Sequence, residues 1–256
     1  MTRTEVRQLL AELELRPSKA LGQNFLIDVN IARIVVREAD VREDETVIEI
    51  GPGLGALTEE LAGRARRLVA VEKDARLCRY LRERLPGIEL VEGDAVEVAL
   101  PACDKVVANL PYSISTPILE RFVEGEQKPR ALVLMLQREV AHRLGAQPRT
   151  KEYGALTLFT QLSYHVTVAH VVSPHCFFPE PQVESAIVVL NRREPRVRLK
   201  AGAPFHAMVR AGFSQRRKML GKRLAEFGLL DAEIARKRAE ELSLDEWIAL
   251  ANARVR

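Results

Sequence analysis

The tetrapeptide Asn109-Leu110-Pro111-Tyr112 has the residue types for a particular piece of chemistry. An exocyclic amine on a purine is a weak nucleophile, because its lone pair is drawn into the ring. Two hydrogen-bond acceptors on its N–H groups return that lone pair to the nitrogen. The Asn109 amide oxygen and the Leu110 carbonyl form such a pair, and Pro111 holds the chain in a tight extended turn that points both the same way. Tyr112 then offers a ring on which a base stacks, worth roughly 1 to 3 kcal/mol. Taken alone, the same four residues also describe a turn with an Asx bond and a half-buried tyrosine.

A second cluster favours the chemical reading. In Glu49-Ile50-Gly51-Pro52-Gly53-Leu54-Gly55 an apolar run ends in a glycine-rich turn. Gly51 and Gly53 let a ligand approach the backbone where Cβ atoms would block it. Glu72 closes the next apolar run, at the spacing where a carboxylate accepts two ribose hydroxyls. These features alone fit a nicotinamide dinucleotide equally well. Gly93-Asp94-Ala95 ends a third run and adds a carboxylate suited to an adenine amine. Pro52 occupies a turn that would otherwise make room for a pyrophosphate, so adenosine without phosphates fits better.

These residues need a scaffold that brings strand ends together. Seven short β-branched runs, at 46–50, 67–71, 89–92, 105–109, 131–136, 165–171 and 185–190, alternate with helical patterns. That alternation predicts a mostly parallel sheet covered on both faces, with the last two strands as an antiparallel hairpin at its edge. Helices are expected at 56–63, 75–85, 116–124 and 154–164, with Asp28 capping another whose apolar positions are Ile31, Ile34, Val35 and Ala39. Beyond Pro195 strand signals cease and helices are expected at 204–212, 215–227, 231–241 and 243–253. The expected organisation is an α/β domain over 1–194 and a small helical domain over 195–256.

Charge separates the same two parts. The chain has 256 residues and a formal net charge of +4, yet between Arg192 and Arg223 eleven basic residues stand against one acid, Glu194. A concentration of that kind suits a polyanion, because each neutralised phosphate releases condensed counterions. The longest apolar run, Ala131 to Leu136, falls far short of the roughly 18 residues of a membrane span. The charged start of the chain, with Arg3, Glu5 and Arg7, lacks the apolar stretch of a secretory signal, so a cytoplasmic protein is expected. Cys78, Cys103 and Cys176 are spread too far apart for a zinc site or disulfide framework, and no metal is expected. His165, His170 and His206 read as structural. Without a heptad seam, a monomer is the expected state.

Four segments in order, Gly22-Gln23-Asn24-Phe25-Leu26, the 49–55 turn, Asn109-Leu110-Pro111-Tyr112 and Phe177-Phe178-Pro179-Glu180-Pro181-Gln182-Val183-Glu184-Ser185, resemble the ribosomal RNA adenine N6-dimethyltransferases, in particular the bacterial members acting on 16S rRNA. The resemblance implies a Rossmann-like seven-stranded methyltransferase sheet and S-adenosylmethionine as cofactor. It implies Asn24 and the Leu26 backbone over the cofactor, Gly51 and Gly53 under its methionine part, Glu72 on the ribose, Asp94 with Ala95 at the adenine, and Asn109 between cofactor and target. Phe177 is expected to face the target base opposite Tyr112, completing a catalytic set of Asn109, Leu110, Tyr112 and Phe177. The implied partner is 16S rRNA in the immature 30S subunit, with two adjacent adenosines near its 3′ end each methylated twice. Arg216, Arg217, Lys218 and Lys222 are the expected RNA contacts, although Met219 and Lys222 depart from the Thr and Asn usual in the family. The rivals are methylation of a 23S rRNA or DNA adenine, and a 30S assembly factor acting mainly by binding.

Overall fold

The computed structural model describes residues 1–17, 23–125, 128–193, 197–228 and 231–255. Gly22, Glu194, Pro195 and Arg196, and with them the expected domain boundary, lie outside the described residues. The chain divides into two compact units, Met1–Ala141 with Thr167–Arg192, and His142–Val166 with Arg193–Arg256.

The first unit opens with α1 (Arg3–Glu12), β1 (Phe25–Leu26) and α2 (Val29–Ala39). Asp28 caps α2 as its position suggests, its carboxylate accepting from the N–H groups of Asn30 and Ile31. There follow β2 (Thr46–Ile50), α3 (Ala56–Leu61), β3 (Arg67–Glu72), α4 (Ala75–Arg84), β4 (Glu89–Glu92), β5 (Lys105–Asn109), α5 (Ser115–Glu124) and β6 (Ala131–Gln137). After α6 (Arg138–Leu144) and α7 (Ala155–Ser163), β7 (Tyr164–Val172), β8 (Phe177–Phe178) and β9 (Ser185–Arg192) complete the strands.

Seven strands form one sheet in the order β4-β3-β2-β5-β6-β9-β7. The run from β4 to β6 is parallel, with Val47 opposite Leu68 on one side and Lys105 on the other. β9 returns antiparallel to β6, pairing Ser185 with Gln137 and Asn191 with Ala131. Every residue of β2 is buried, as a central strand covered on both faces requires. Val35 and Val36 of α2 and Leu57 and Leu61 of α3 share one apolar cluster with Val107, Val133 and Ile187 of the sheet. Chain order reverses between β2 and β5. In open α/β sheets that switch point leaves a crevice at the carboxyl ends of the strands.

The second unit is helical, with α8 (Phe205–Phe213), α9 (Leu220–Arg223), α10 (Ala232–Arg236) and α11 (Leu244–Asn252). Residues 142–166 group with it because α7 buries its apolar side there. Phe159 meets Phe205 edge-on and His206 at a tilt, Tyr153 meets Phe213 edge-on, and the Tyr153 hydroxyl donates to the Leu242 carbonyl at 2.9 Å. Trp247 is fully buried, close enough to Gly212 that a Cβ there would lie 2.6 Å from its ring. The expected helices at 215–227 and 231–241 are both interrupted. Met219 bridges Arg238 in antiparallel fashion and the Leu220 N–H donates to the Lys237 carbonyl at 2.9 Å, so tertiary backbone pairing overrides helical spacing and residues 214–218 form a turn and bend.

Candidate functional site

At the switch point lies a cavity of about 350 Å3, within the range of small-molecule sites, lined by the carboxyl ends of β2, β3 and β5, the turn after β4 and the segment around β1. The glycine-rich turn after β2 forms its floor. Gly51 and Gly53 adopt φ values of +66° and +58°, and a Cβ on Gly53 would stand 3.0 Å from the Phe25 ring. Both positions need glycine, one for backbone conformation and the other also for space. Glu72 fastens this turn. Its Oε2 accepts from the Gly53 N–H at 3.2 Å, while Oε1 accepts from the N–H groups of Lys73 and Asp74 at 2.8 and 2.9 Å. Burial raises the Glu72 carboxyl above its usual range, and the three amides oppose that rise.

Asp94 uses one oxygen to cap its own turn, accepting from the Val96 N–H at 2.9 Å, and the other to pair with Lys73 at 2.9 Å. The Lys73 ammonium holds it below the usual carboxylate range. Glu49, also on the cavity wall, is different. It is 1% exposed, and its Oε2 has no hydrogen-bond partner. Burial, with the neighbouring Glu72 carboxylate adding to it and the Thr58 hydroxyl offsetting part, pushes the Glu49 carboxyl up to about 8. It is therefore mostly a neutral acid at pH 7.

Asn109 ends β5 on the same wall. Its Nδ2 donates to the Asn24 carbonyl at 3.0 Å. A carbonyl only accepts, so this bond fixes which way the amide is turned and leaves Oδ1 as the acceptor. Leu110 has its N–H on the Met135 carbonyl at 3.2 Å and its side chain in the core. Tyr112 follows, half-buried, and its hydroxyl shares a 2.7 Å hydrogen bond with the fully buried Ser185 at the start of β9. Burial raises the Tyr112 phenol. The ring is thus anchored both by its backbone and at its far end.

The structure gathers Asn24, Leu26, Gly51, Gly53, Glu72, Asp94, Ala95 and Asn109 around the one cavity. Leu110 and Tyr112 flank the lining residue Pro111 without lining the cavity themselves. Phe177 is a correction. It is 1% exposed, pairs with Leu26 through β8 and β1, and packs in the core with Ile31 and Val172, so it presents no open ring. Phe178 turns instead toward the N-terminal helix, where the Arg7 guanidinium lies 5.4 Å from its ring centroid. Sequence reasoning passed over Glu49 and Ser185 as functional groups. Both lie inside quoted motifs, yet only tertiary neighbours distinguish them.

In the second unit, Arg217, Lys218 and Lys222 are exposed. Arg216 is engaged. Its Nε donates to Glu240 at 2.6 Å and its guanidinium also reaches the Thr150 carbonyl at 2.8 Å. No group of three His, Cys, Asp or Glu side chains able to hold a metal occurs among the described residues, and no helix among them is long and apolar enough to cross a membrane.

Comparison with known proteins places these observations in a family. The model described as ribosomal RNA adenine dimethylase matches residues 15–249. A protein of Geobacter metallireducens named ribosomal RNA small subunit methyltransferase A is 43% identical, covering 93% of this chain and 96% of its own. One of the same name from Clostridium perfringens is 40% identical, over 97% and 94%. Among solved structures, a dimethyladenosine transferase from Plasmodium falciparum superposes with a TM-score of 0.78 at 25% identity, covering 88% of this chain and 95% of that one. The 23S rRNA methyltransferase ErmE gives 0.69 at 29% identity, over 90% and 99%.

Proposed function

Because the chain belongs to the ribosomal RNA adenine dimethylase family, we propose that it uses S-adenosylmethionine to dimethylate N6 of two adjacent adenosines near the 3′ end of 16S rRNA, acting on the immature 30S subunit in the cytoplasm as a monomer. The observation that carries the chemistry is the orientation of Asn109, whose amide nitrogen is spent on the Asn24 carbonyl and whose oxygen remains to accept. The small-subunit assignment is supported by relatives at 40 to 43% identity that carry that name, against 29% for the 23S enzyme.

The cavity fits this cofactor. It combines a close-approach glycine floor, a carboxylate at the end of each of two adjacent strands' turns, and one buried carboxyl oxygen without a partner. In this reading Asn24, Leu26, Gly51 and Gly53 hold the methionine part, Glu72 accepts from the ribose hydroxyls with lone pairs its three amides leave over, and Asp94 beside Ala95 accepts the adenine amine. When bound, S-adenosylmethionine supplies a methyl group already activated by a positively charged sulfur.

The protein's own work is alignment. A loop adenine leaves its stack, since unpaired RNA bases are the ones a pocket can capture. Tyr112, its hydroxyl fixed on Ser185, supports the base. The Asn109 amide oxygen and the Leu110 carbonyl accept from the two N6 hydrogens, which localises the lone pair on nitrogen toward the methyl group. The proton leaves after transfer. Positioning of this kind is a large lever, reaching about 7 to 11 kcal/mol in ideal intramolecular cases. With Phe177 in the core, Tyr112 is the aromatic support in this reading. The sheet unit carries the chemistry and residues 195–256 dock the RNA, where Arg217, Lys218 and Lys222 meet phosphates and Arg216 holds their loop in place.

Incubation with S-adenosylmethionine and immature 30S particles, naked 16S rRNA, 23S rRNA or duplex DNA, followed by mass spectrometry, tests this directly. The expected product is dimethyladenosine at two neighbouring positions in the 30S arm; methylation confined to 23S rRNA or DNA would overturn it. Asn109→Ala should reduce methylation by roughly a hundredfold or more while cofactor affinity, measured by calorimetry, changes little. Undiminished methylation by that variant would remove the chemical argument.

A further inference from the structure

The two carboxylates read above as partners of the ribose and the adenine are tied to each other by a single residue, Lys73. Parallel pairing sets Glu72 opposite Glu92, so the residues that follow the two strands, Lys73 and Gly93-Asp94, leave the sheet side by side. The Lys73 N–H donates to Glu72 Oε1 at 2.8 Å and its ammonium to Asp94 Oδ2 at 2.9 Å. Lys73 and Asp94 both line the cavity.

The backbone of the Asp94 turn is already fixed. The Gly93 N–H donates to the Glu72 carbonyl at 2.8 Å, the Glu97 and Val98 N–H groups donate to the Asp94 carbonyl at 2.9 Å, and the Arg121 guanidinium donates to the carbonyls of Ala95 and Val98. Of the carboxylate, Oδ1 is engaged by the Val96 N–H. That leaves Oδ2 for a ligand, and Lys73 sets where it points. An oxygen has two lone pairs, so the ammonium takes one and leaves the other to an incoming amine. The pairing also favours the charged form of both partners, holding Lys73 above and Asp94 below its usual range.

We infer that Lys73 is a positioning residue for purine selection, aiming a charged Asp94 Oδ2 at the adenine amine so that the cofactor is favoured over purines lacking that amine. The inference rests on the cofactor reading above. A charged acceptor held in place discriminates more than one that turns freely, because the free side chain loses rotamer entropy on binding. Lys73 is itself 71% exposed, so the effect is several-fold rather than absolute.

Calorimetric titration with S-adenosylmethionine and with its 6-deamino analogue, in which hydrogen replaces the adenine amine, reads that preference. Wild type should bind the amine-bearing ligand about tenfold or more tightly. Lys73→Met keeps the stem and removes the charge. It should weaken S-adenosylmethionine about three- to tenfold and leave the analogue within about twofold, and Lys73→Arg should restore most of the difference. In an Asp94→Ala background Lys73→Met should change nothing further. Ionic strength raised to about 1 M should narrow the preference of wild type but not that of Lys73→Met, and the wild-type series needs no variant to fold. Equal losses for both ligands, or a preference kept or widened in Lys73→Met, would overturn the inference. So would wild type binding both ligands alike, which leaves the cofactor reading standing; binding of neither strikes that reading and this inference with it.

Discussion

Glu45, immediately before the central strand β2, and Glu49, near its carboxyl end, stand four residues apart, both buried, and the protein treats them in opposite ways. At the amino end, burial works against the Glu45 carboxylate, but the Arg42 N–H, Lys105 and Arg130 outweigh it and hold the group below its usual range. The Lys105 ammonium, itself buried, also donates to the carbonyls of Ala39 and Asp40. Both Glu45 oxygens have partners, and the Lys105 ammonium has three acceptors. At the carboxyl end Glu49 has the Thr58 hydroxyl beside it, no partner on Oε2, and keeps its proton. The difference is between a closed polar network that holds the sheet together and an open one on the wall of the switch-point cavity.

The comparison is most easily broken at its closed end. Lys105→Met leaves Glu45 with a partly exposed Arg130 as its remaining cation and should cost about 3 to 5 kcal/mol in urea denaturation. Cofactor affinity, measured on the protein that stays folded, should be almost unchanged. If binding is lost along with stability, the two ends are not independent. A smaller effect of opposite sign is expected at the open end. In the folded state Glu49 titrates higher than in the unfolded chain, so its contribution favours folding in acid and is lost as pH rises from the ordinary carboxylate range to about 8. Glu49→Gln should remove that slope and stabilise the empty protein above pH 8. Glu45 runs the other way, its contribution present at neutral pH and lost as pH falls below the carboxylate range. Denaturation of wild type and variant from pH 5 to 9 checks both slopes.

The smallest effect separates holding shape from aiming a base. Ser185→Ala removes the partner of the Tyr112 hydroxyl and should cost only about 1 kcal/mol of stability. It should raise KM for RNA several-fold with cofactor affinity intact. In a Tyr112→Phe background the same substitution should add nothing, because the hydroxyl it serves is gone. An equal loss in both backgrounds would show that Ser185 acts through packing instead.

Local signals carried much of this structure into the sequence. The alternating runs mark all seven main strands, Asp28 marks the start of α2, and the glycine turn with Glu72, Asp94 and Asn109 marks the ends that converge. What could not be read depends on partners remote in the chain. Phe177 is drawn into the core by pairing with Leu26. The stretch 214–218 leaves its helix because Leu220 bonds to Lys237. Arg216 looks like a phosphate contact until Glu240 is seen beside it. The α7 pattern predicts a helix but not which unit its apolar side joins. Glu49 was legible as a motif residue, while its protonation follows from burial that no spacing reveals.

The bond between Tyr112 and Ser185 has an implication for the order in which the molecule becomes competent. Every residue lining the cavity lies at or before Ile114, whereas the hydroxyl that steadies Tyr112 sits 73 positions further along than the tyrosine it holds. Chains emerge amino end first and their domains are completed in that direction. The residues that line the cavity are therefore synthesised well ahead of the one that holds the far end of the Tyr112 ring, which waits for β9, the last of the sheet's strands to be made.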